Sequence, residues 1–257
     1  MPETVPLPDE VIAAVRGARR VLVLTGAGMS AESGIATFRD AQTGLWETFD
    51  PSQLATHEAW VDDAAFVWAW YAWRIRLLGD AEPNAGHRAL ADLAAHREVS
   101  VVTQNIDDLH ERAGSRVTAH LHGSLLELRC ADCHEPYADQ PALPDAPVER
   151  LSPESCPACG GEVRPGVVWF GEMLPQEAVQ ATEDAIEALE PGDVCLVVGT
   201  SGIVYPAAGY PAMALAQGAT VIEVNPDESG VSDMCHHVVR GTAAHVLPAL
   251  VAAVAQS

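Results

Sequence analysis

The chain has 257 residues, 48% of them hydrophobic, which is enough to bury one sizeable core and fits one large domain, with or without a smaller module. Its formal charge of -22 at pH 7 disfavours nucleic acid or an anionic membrane surface as a partner, because like charges repel, and it favours basic partners. The N-terminal stretch MPETVPLPDE lacks the basic and apolar regions of a signal peptide, and no apolar run of about 18 residues occurs, so we predict a cytoplasmic protein.

Four short apolar runs rich in β-branched residues occur along the chain, and each ends in small or polar residues. They are RRVLVLTGAG (19–28), EVSVVTQN (98–105), DVCLVVGTS (193–201) and ATVIEVNP (219–226). This pattern is typical of buried parallel strands whose carboxyl ends face a ligand. Helical patterns at 84–97 and 177–190 alternate with the runs, and the tail 247–257 predicts a short closing helix. The alternation predicts a doubly wound, Rossmann-like α/β fold with a parallel sheet.

Two stretches interrupt this alternation. One, at 41–80, is rich in aromatic residues and helical in pattern, and the other, at 128–165, carries prolines and paired cysteines. We interpret both as insertions that together form a smaller lobe. The expected organisation is a single domain over 1–257, with a large lobe at approximately 1–40, 81–127 and 166–257 and a small lobe at 41–80 and 128–165.

The first apolar run opens into the glycine-rich loop GAGMSAESGIATFRD (26–40). It supplies glycines for close backbone approach, hydroxyl donors and one cation: Gly26, Gly28, Gly34, Ser30, Ser33 and Arg39. These groups suit a dinucleotide phosphate or ribose. The loop is not the hydride-transfer fingerprint G-x-G-x-x-G, because Ala31 stands three positions after Gly28. Taken alone, the loop is a weak indication of nucleotide binding.

Two C-x2-C pairs lie within the second insertion, separated by 22 residues: Cys130 and Cys133, then Cys156 and Cys159. Four thiolates at such spacing form a tetrahedral zinc site with no open position, so this zinc would be structural. The alternatives are disulfides, which a chain without a secretion signal disfavours, and an iron–sulfur cluster. We expect Cys195 and Cys235, which lie outside the pairs, to be packing residues.

Seven motifs follow one another along the chain in a fixed order. They are GAGMSAESG with TFR, TQNID (103–107), HGSL (122–125), the two cysteine pairs, VVWFGE (167–172), GTS (199–201) and EVN (223–225). Their order and spacing resemble the sirtuin family, from about residue 10 to 250. The resemblance implies an NAD-dependent protein-lysine deacylase that transfers the acyl group to ADP-ribose and releases nicotinamide, with acyl-lysine proteins as substrates, NAD as co-substrate and one structural Zn2+.

The resemblance also implies roles for individual residues. Asn105 and Asp107 match the family's pair that orients the nicotinamide ribose and carboxamide, although the same residues also suit a simple turn after a strand. His122 matches the general base that takes a proton from a ribose hydroxyl, although His120 would point the same way from a strand. The predicted contacts to NAD are Gly26, Ala27, Gly28, Ser30, Ser33, Gly34, Thr37, Phe38, Arg39, Trp46, Gln104, Asn105, Ile106, Asp107, Gly199, Thr200, Ser201, Asn225 and Ala243, with Glu223 as a further candidate.

The segment VVWFGE would hold the substrate peptide by strand addition, with Phe170 lining the tunnel for the acyl-lysine stem. The predicted substrate contacts there are Val168, Phe170, Gly171 and Glu172.

The acyl preference is predicted from Tyr71 and Arg74, three residues apart in the helical stretch 66–78. The pair resembles the Y-x-x-R of class III sirtuins, in which it would bind the free carboxylate of a succinyl or malonyl group; otherwise it is surface decoration. The nearby tryptophans, predicted to pack in the core or lid, are Trp60, Trp68, Trp70 and Trp73. Mono-ADP-ribosyl transfer and a non-catalytic NAD sensor are the competing hypotheses.

Overall fold

A computed structural model of the chain describes residues 6–35 and 54–255. The strands are β1 (Arg20–Thr25), β2 (Glu98–Thr103), β3 (Val117–His120), β4 (Gly123–Cys130), β5 (Pro136–Tyr137), β6 (Val163–Val167), β7 (Val194–Val198), β8 (Thr220–Val224) and β9 (His237–Val239). The α-helices are α1 (Asp9–Gly17), α2 (His57–Asp80), α3 (Ala85–Leu93), α4 (Leu109–Arg112), α5 (Gln176–Glu187), α6 (Tyr210–Ala216) and α7 (Ala243–Ala255).

The large sheet has six parallel strands in the order β3-β2-β1-β7-β8-β9. Each of the four predicted apolar runs forms one of its strands, and the predicted doubly wound fold is confirmed. The order reverses between β1 and β7, where Val21 pairs with Val99 on one side and with Val194 on the other. Such a reversal opens a crevice at the carboxyl edge of the sheet, where open α/β folds bind their ligands.

Helices cover both faces of this sheet. On one face α1, α3 and α7 bury apolar side chains against the central strands, among them Val11, Leu90, Leu93, Val246 and Leu250. On the other face α5 and α6 do the same with Ile186, Tyr210 and Ala214. The closing helix begins at Ala243, four residues before the start that the apolar pattern of the tail predicts. Strands buried from both sides explain why β1 and β7 read as continuous apolar runs.

A second, antiparallel sheet with the order β5-β4-β6 packs with α2 around its own core. The sheet begins at Gly123 and ends at Val167, so it extends beyond both ends of the predicted insertion at 128–165. Trp60, Trp68 and Trp70 are buried in this core, and Trp73 packs against it, as predicted.

Helix α2 is kinked at Asp63, whose backbone is non-helical (φ -158°, ψ 76°). The Asp63 carboxylate accepts a hydrogen bond from the Phe66 N–H at 3.1 Å and pairs with Arg150 at 2.6 Å. The second half of the helix therefore starts with its own cap. None of the helices in the described ranges is long and apolar enough to cross a membrane.

Candidate functional site

The crevice between β1 and β7 is lined by two loops in backbone contact. The Gly26 N–H donates to the Val198 carbonyl at 3.0 Å, and the Gly28 N–H donates to the Gly199 carbonyl at 2.8 Å. A Cβ on Gly28 would lie 2.8 Å from Gly199 Cα, and one on Gly199, where φ is +60°, would lie 2.5 Å from the Met29 nitrogen. Glycines are thus needed here for loop-to-loop packing, a constraint that the sequence does not reveal.

The rest of the glycine loop folds into two short 3-10 turns, which begin at Ala27 and Ala31. The Asn84 side chain caps α3 and also donates through Nδ2 to the Met29 carbonyl at 2.8 Å and to Ser33 Oγ at 3.1 Å. Gly34 ends the second turn with φ +82° and no atom within 4 Å of a Cβ built there. The cap of α3 therefore fixes the loop at the edge of the crevice.

Asn105 and Asp107 follow β2 and face the glycine loop. Asn105 donates through Nδ2 to Ser30 Oγ at 3.1 Å, and its own N–H donates to Thr103 Oγ1 at 3.0 Å. Asp107 is buried and accepts from the Leu109 N–H at 3.2 Å. Burial raises the pKa of Asp107, and a hydrogen bond from Ser30 opposes this rise. With Nδ2 turned to Ser30, no described residue donates to Asn105 Oδ1, which is left to accept from a ligand.

Two buried histidines behind Asn105 are absent from the sequence prediction. His87 Nε2 lies 3.4 Å from Ser30 Oγ, and His110 Nε2 lies 3.1 Å from Thr25 Oγ1. Burial, aided by the charge of Arg88, lowers the pKa of His87 to about 4. Burial, together with the neighbouring His87, lowers the pKa of His110 to about 3. Both rings are neutral at physiological pH and serve as fixed hydrogen-bonding partners; the capping pattern N-x-x-H at the start of α3 was the available signal for His87.

His122 and His120 both lie near Asn105 but have different partners. His122 Nδ1 donates to the Gln104 carbonyl at 2.9 Å, and no described residue bonds its Nε2. His120 uses both nitrogens, contacting the Asn105 carbonyl at 3.0 Å and Glu111 at 2.7 Å. Burial lowers the pKa of His122, whereas the Glu111 carboxylate outweighs burial and raises the pKa of His120. His122 is therefore the histidine with a free, unprotonated nitrogen.

The loops after β7 and β8 continue the crevice. The Gln104 side chain donates to Thr200 Oγ1 at 3.1 Å, and Asn225 Nδ2 donates to the Thr200 carbonyl at 2.7 Å. The Ser201 carbonyl accepts from the Gly230 N–H at 2.9 Å, which ties this loop to the one that follows β8. Most of the predicted cofactor positions that the structure describes thus converge on one edge of the large sheet.

Two further predicted positions have defined surroundings. Ala243 starts α7 against the backbone of Gly86, where a Cβ would lie 2.9 Å from the Ala243 carbonyl oxygen. Glu223 is fully buried, and its carboxylate accepts hydrogen bonds from Ser229, from Ser232 at 2.6 Å and from Arg240 at 3.2 Å. Glu223 therefore holds the loop after β8 and has its hydrogen-bonding capacity already in use.

The VVWFGE segment continues from β6 along the core that α2 forms with the second sheet. The Val168 N–H donates to the His122 carbonyl at 2.8 Å, and the Phe170 N–H donates to the Ala55 carbonyl at 2.9 Å. The Phe170 side chain is 48% exposed, and Gly171 turns the chain with φ +86°. Ile106, which follows Asn105, packs against the same core. The segment thus links the residue carrying the free imidazole to the small lobe.

Glu172 forms a bidentate ion pair with Arg164, with N–O distances of 2.6 and 3.0 Å. Arg164 is 5% exposed and was not singled out from the sequence. Burial raises the pKa of Glu172, but the hydrogen bonds from Arg164 and from the Trp169 N–H outweigh it and hold that pKa below its usual range. The Glu172 carboxylate is thus committed to internal contacts.

Tyr71 and Arg74 lie on one face of α2. Tyr71 is 2% exposed, and burial raises its pKa to about 12, so the hydroxyl keeps its proton. The Arg74 guanidinium carbon lies 4.8 Å from the ring centroid of Trp70 and 6.0 Å from that of Tyr71. Arg74 is half-buried, and no carboxylate of the described residues forms an ion pair with it. A cation without a carboxylate partner among the described residues thus lies near a protonated hydroxyl, and both side chains pack against aromatic rings.

The four paired cysteines converge at the end of the second sheet, with all four sulfur atoms within 4.8 Å of one another. The Sγ atoms of Cys130 and Cys159 are 3.5 Å apart, and those of Cys133 and Cys156 are 3.7 Å apart. Zn–S bonds of about 2.3 Å in a tetrahedron place sulfurs about 3.8 Å apart, so the cluster fits zinc. Cys195 is buried elsewhere, in the core of the large lobe.

Four predicted cofactor contacts lie outside the described residues: Thr37, Phe38, Arg39 and Trp46.

A profile of the Sir2 family matches residues 26–206, well over half of the chain. The chain belongs to the Sir2 family. A relative from Mycolicibacterium paratuberculosis, named NAD-dependent protein deacylase, is 53% identical over 232 residues, which cover 90% of this chain and 96% of the relative.

Solved Sir2 structures agree with the fold. A crystal structure of a Sir2 homolog–NAD complex aligns with a TM-score of 0.88 at 38% identity, covering 99% of this chain and 96% of the other. A Sir2 protein with a deacetylated peptide and 3′-O-acetyl ADP ribose aligns with a TM-score of 0.78 at 28% identity, covering 94% and 96%. The sirtuin resemblance and the predicted fold are confirmed, and the chain is an enzyme of the Sir2 family.

Proposed function

We propose that this Sir2 enzyme is an NAD-dependent protein deacylase that removes acetyl and acidic acyl groups, such as succinyl and malonyl, from lysine side chains of proteins. The deacylase name of its relative and the peptide complex of the other Sir2 protein support the general activity. The observation that carries the acidic preference is Arg74, a half-buried guanidinium with no carboxylate partner among the described residues, beside the hydroxyl of Tyr71.

The crevice between β1 and β7 suits the dinucleotide, because its two loops present backbone groups at the carboxyl edge of the sheet. NAD would supply the ADP-ribose that accepts the acyl group, with release of nicotinamide. Asn105 Oδ1 would accept a hydrogen bond from the nicotinamide end, and Asn225 with Thr200 would flank the adenosine ribose. Asp107, in contact with Ser30, would help to orient the same end.

His122 would act as the general base. Its Nδ1 proton is held by the Gln104 carbonyl, so Nε2 carries the lone pair that would take a proton from a ribose hydroxyl. Burial keeps the ring neutral at the pH of the cell. The ion pair of His120 with Glu111 leaves that neighbouring ring unsuited to the same work.

The protein substrate would pair with the segment at 167–172. Main-chain groups of an extended peptide would add to this segment, and the exposed Phe170 ring would line the passage of the lysine stem. Such backbone pairing reads little sequence, so many acyl-lysine proteins would qualify as substrates.

The remaining proposals concern zinc and the lobes. One Zn2+ would be held by the four cysteine thiolates and would stabilise the small lobe.

The division into a large Rossmann-like lobe and a small lobe built from two insertions agrees with the separate core of α2 and the second sheet. The cytoplasmic location stays a prediction.

The decisive experiment compares acetyl- and succinyl-lysine forms of one peptide in NAD-dependent turnover, followed by mass spectrometry. For Tyr71→Phe/Arg74→Met we expect kcat/KM for succinyl-lysine to fall about 100-fold, the effect of losing hydrogen bonds to a charged group, and acetyl-lysine to change less than about threefold. Arg76→Met is the matched control, because Arg76 on the same helix pairs with Asp80 at the surface.

Two outcomes would contradict the proposal. If the native enzyme leaves succinyl-lysine intact, or the double variant removes it equally well, the pair does not recognise the acyl group. If ADP-ribose becomes covalently attached to a protein target in place of acyl-group release, mono-ADP-ribosyl transfer is the main activity.

A further inference from the structure

Trp169 connects the acyl-binding pair to the segment that we propose holds the peptide. Its indole Nε1–H donates to the Tyr71 hydroxyl oxygen at 2.9 Å, and the ring is 1% exposed. The two rings lie 6.4 Å apart at an interplanar angle of 31°. Among the described residues this is the hydrogen bond of the Tyr71 hydroxyl, and Trp169 was not among the predicted site residues.

The Trp169 ring is held in place by a buried arginine that stacks on it. The Arg164 guanidinium carbon lies 3.2 Å from the ring centroid, and the same guanidinium is fixed by its bidentate pair with Glu172. The Glu172 carboxylate also accepts from the Trp169 backbone N–H at 2.9 Å. A buried, charge-paired stack of this kind leaves the indole little freedom to rotate.

The direction of this hydrogen bond restricts what Tyr71 can do. An oxygen that accepts from an indole N–H has to point its own hydrogen elsewhere, and no described residue accepts that hydrogen from Tyr71. The raised pKa of Tyr71 keeps that hydrogen on the oxygen. Tyr71 and Arg74 then both present hydrogen-bond donors, which matches the two acceptor oxygens of a carboxylate and opposes groups that carry N–H.

We propose that Trp169 is a positioning residue that fixes the Tyr71 hydroxyl as a donor and thereby selects acyl groups ending in a carboxylate over neutral ones of the same shape. The inference rests on the proposed function, because it assigns to Trp169 the orientation of the acyl-binding pair. Trp169 stands between Val168 and Phe170, whose N–H groups bond to His122 and Ala55, so the peptide-holding segment itself carries the residue that sets acyl selectivity.

The test uses the Trp169→Phe variant and peptides that carry acetyl-, succinyl- or succinamyl-lysine, the last being the neutral carboxamide of succinyl. We expect KM for succinyl-lysine to rise about tenfold with kcat unchanged, and acetyl-lysine to change less than about twofold. We expect the succinamyl peptide to bind to this variant at least as tightly as it binds to the native enzyme, because the released Tyr71 hydroxyl can then accept a hydrogen bond from the carboxamide. The ratio of succinyl to succinamyl turnover should therefore fall.

Trp60→Phe is the matched control. Trp60 is also buried, its ring lies 5.5 Å from that of Trp169, and it makes no side-chain hydrogen bond within the described ranges. If Trp60→Phe reproduces the effect of Trp169→Phe, the effect is one of packing and the inference is wrong. A Trp169 analogue with sulfur in place of the indole N–H keeps the ring's shape and repeats the test if Trp169→Phe folds poorly.

A double-mutant cycle separates this inference from the proposed function. In a Tyr71→Phe background, Trp169→Phe should leave the succinyl-to-acetyl ratio unchanged, because Trp169 acts through the missing hydroxyl. If Tyr71→Phe/Arg74→Met loses succinyl activity and Trp169→Phe retains it in full, the inference fails and the proposed function stands. If the native enzyme ignores succinyl-lysine, both fail together.

Discussion

His120 and His122 lie two positions apart, and the sequence offers no chemical reason to prefer either as a base. The structure separates them by their partners, since a carboxylate and a carbonyl occupy both nitrogens of His120, whereas no described residue bonds to Nε2 of His122. The difference arises from Glu111, which is nine residues from His120 and is brought to it by α4. Spacing in the sequence does not show such a pairing.

The pH dependence of deacylation should follow the ionisation of the His122 ring. Burial lowers its pKa below 6.5, and only the neutral ring can accept a proton, so activity should fall as the pH drops through that lowered pKa and should be level above it. We expect His122→Ala to lose about 100-fold to 10,000-fold in kcat with an acetyl-lysine peptide. The measurement is kcat between pH 5 and pH 8, roughly the range in which histidine titrates.

His120→Gln serves as the comparison, because it leaves the His122 ring in place. We expect the kcat of this variant to fall at the same acidic pH as the kcat of the native enzyme. Another group would be the base if the kcat of the native enzyme falls at a pH above the ordinary pKa of histidine. The same conclusion would follow if His122→Ala keeps the native kcat.

Residue types in local motifs were predictable, and partners distant in sequence were not. The glycines, Asn105, Asp107 and His122 follow from motifs that the structure brings to one crevice. Trp169, His87 and His110 act through contacts with residues far away in the chain, such as the hydrogen bond from Trp169 to Tyr71. No periodicity or spacing encodes such contacts, which is why the sequence left these residues out.

At the scale of elements, strands buried on both faces are the ones that the sequence predicts. The runs that form β1, β2, β7 and β8 are continuous and apolar, whereas β3 and β9 are short, partly exposed and contain histidine. An edge strand of three or four residues has too few apolar positions to form a pattern. The two edge strands, β3 and β9, were therefore identified only from the structure.

The four cysteines cluster at one end of the second sheet. Cys130 and Cys156 are buried in the same core as Trp70 and Tyr71. We expect Cys133→Ser to lose the zinc and to lower the thermal stability of the small lobe together with deacylase activity, while NAD binding in the other lobe persists. Metal content by elemental analysis, thermal unfolding and NAD titration are the measurements.

Cys235→Ser is the control, because Cys235 lies outside the cluster and donates to the Val231 carbonyl at 3.2 Å. Its zinc content should equal that of the native protein, at one ion per chain. A Cys133→Ser variant that keeps full zinc content would show that the four thiolates are not the ligands.

At the scale of the whole molecule, the charge of -22 should act on substrate choice. A peptide with arginines flanking the acyl-lysine should have a lower KM than one with flanking glutamates, because the acidic field attracts it. The difference should shrink between about 0.02 M and about 0.3 M NaCl, since salt screens exposed charges. A KM ratio that stays the same at both salt concentrations would show that the net charge has no part in substrate binding.

A second core, built from the segments that interrupt the α/β alternation, was predictable in outline. The extent of the second sheet was not, because Gly123 and Val167 lie in motifs that the alternation assigns to the large lobe. Strands β4 and β6 thus adjoin the cysteine cluster at one end, and at the other end they adjoin His122 and Val168 beside the crevice.

The central pairing of β1 with β7 has a consequence for biosynthesis. Val21 pairs with Val194, and everything that builds the small lobe lies between them in the chain. As the protein leaves the ribosome, the edge of β1 that pairs with β7 stays uncovered until β7 and the loop at Gly199 have been synthesised. A chain interrupted between Cys159 and Val194 contains every cysteine of the cluster and His122, the proposed base, yet has no dinucleotide crevice, and it exposes an apolar strand edge of the kind that aggregates.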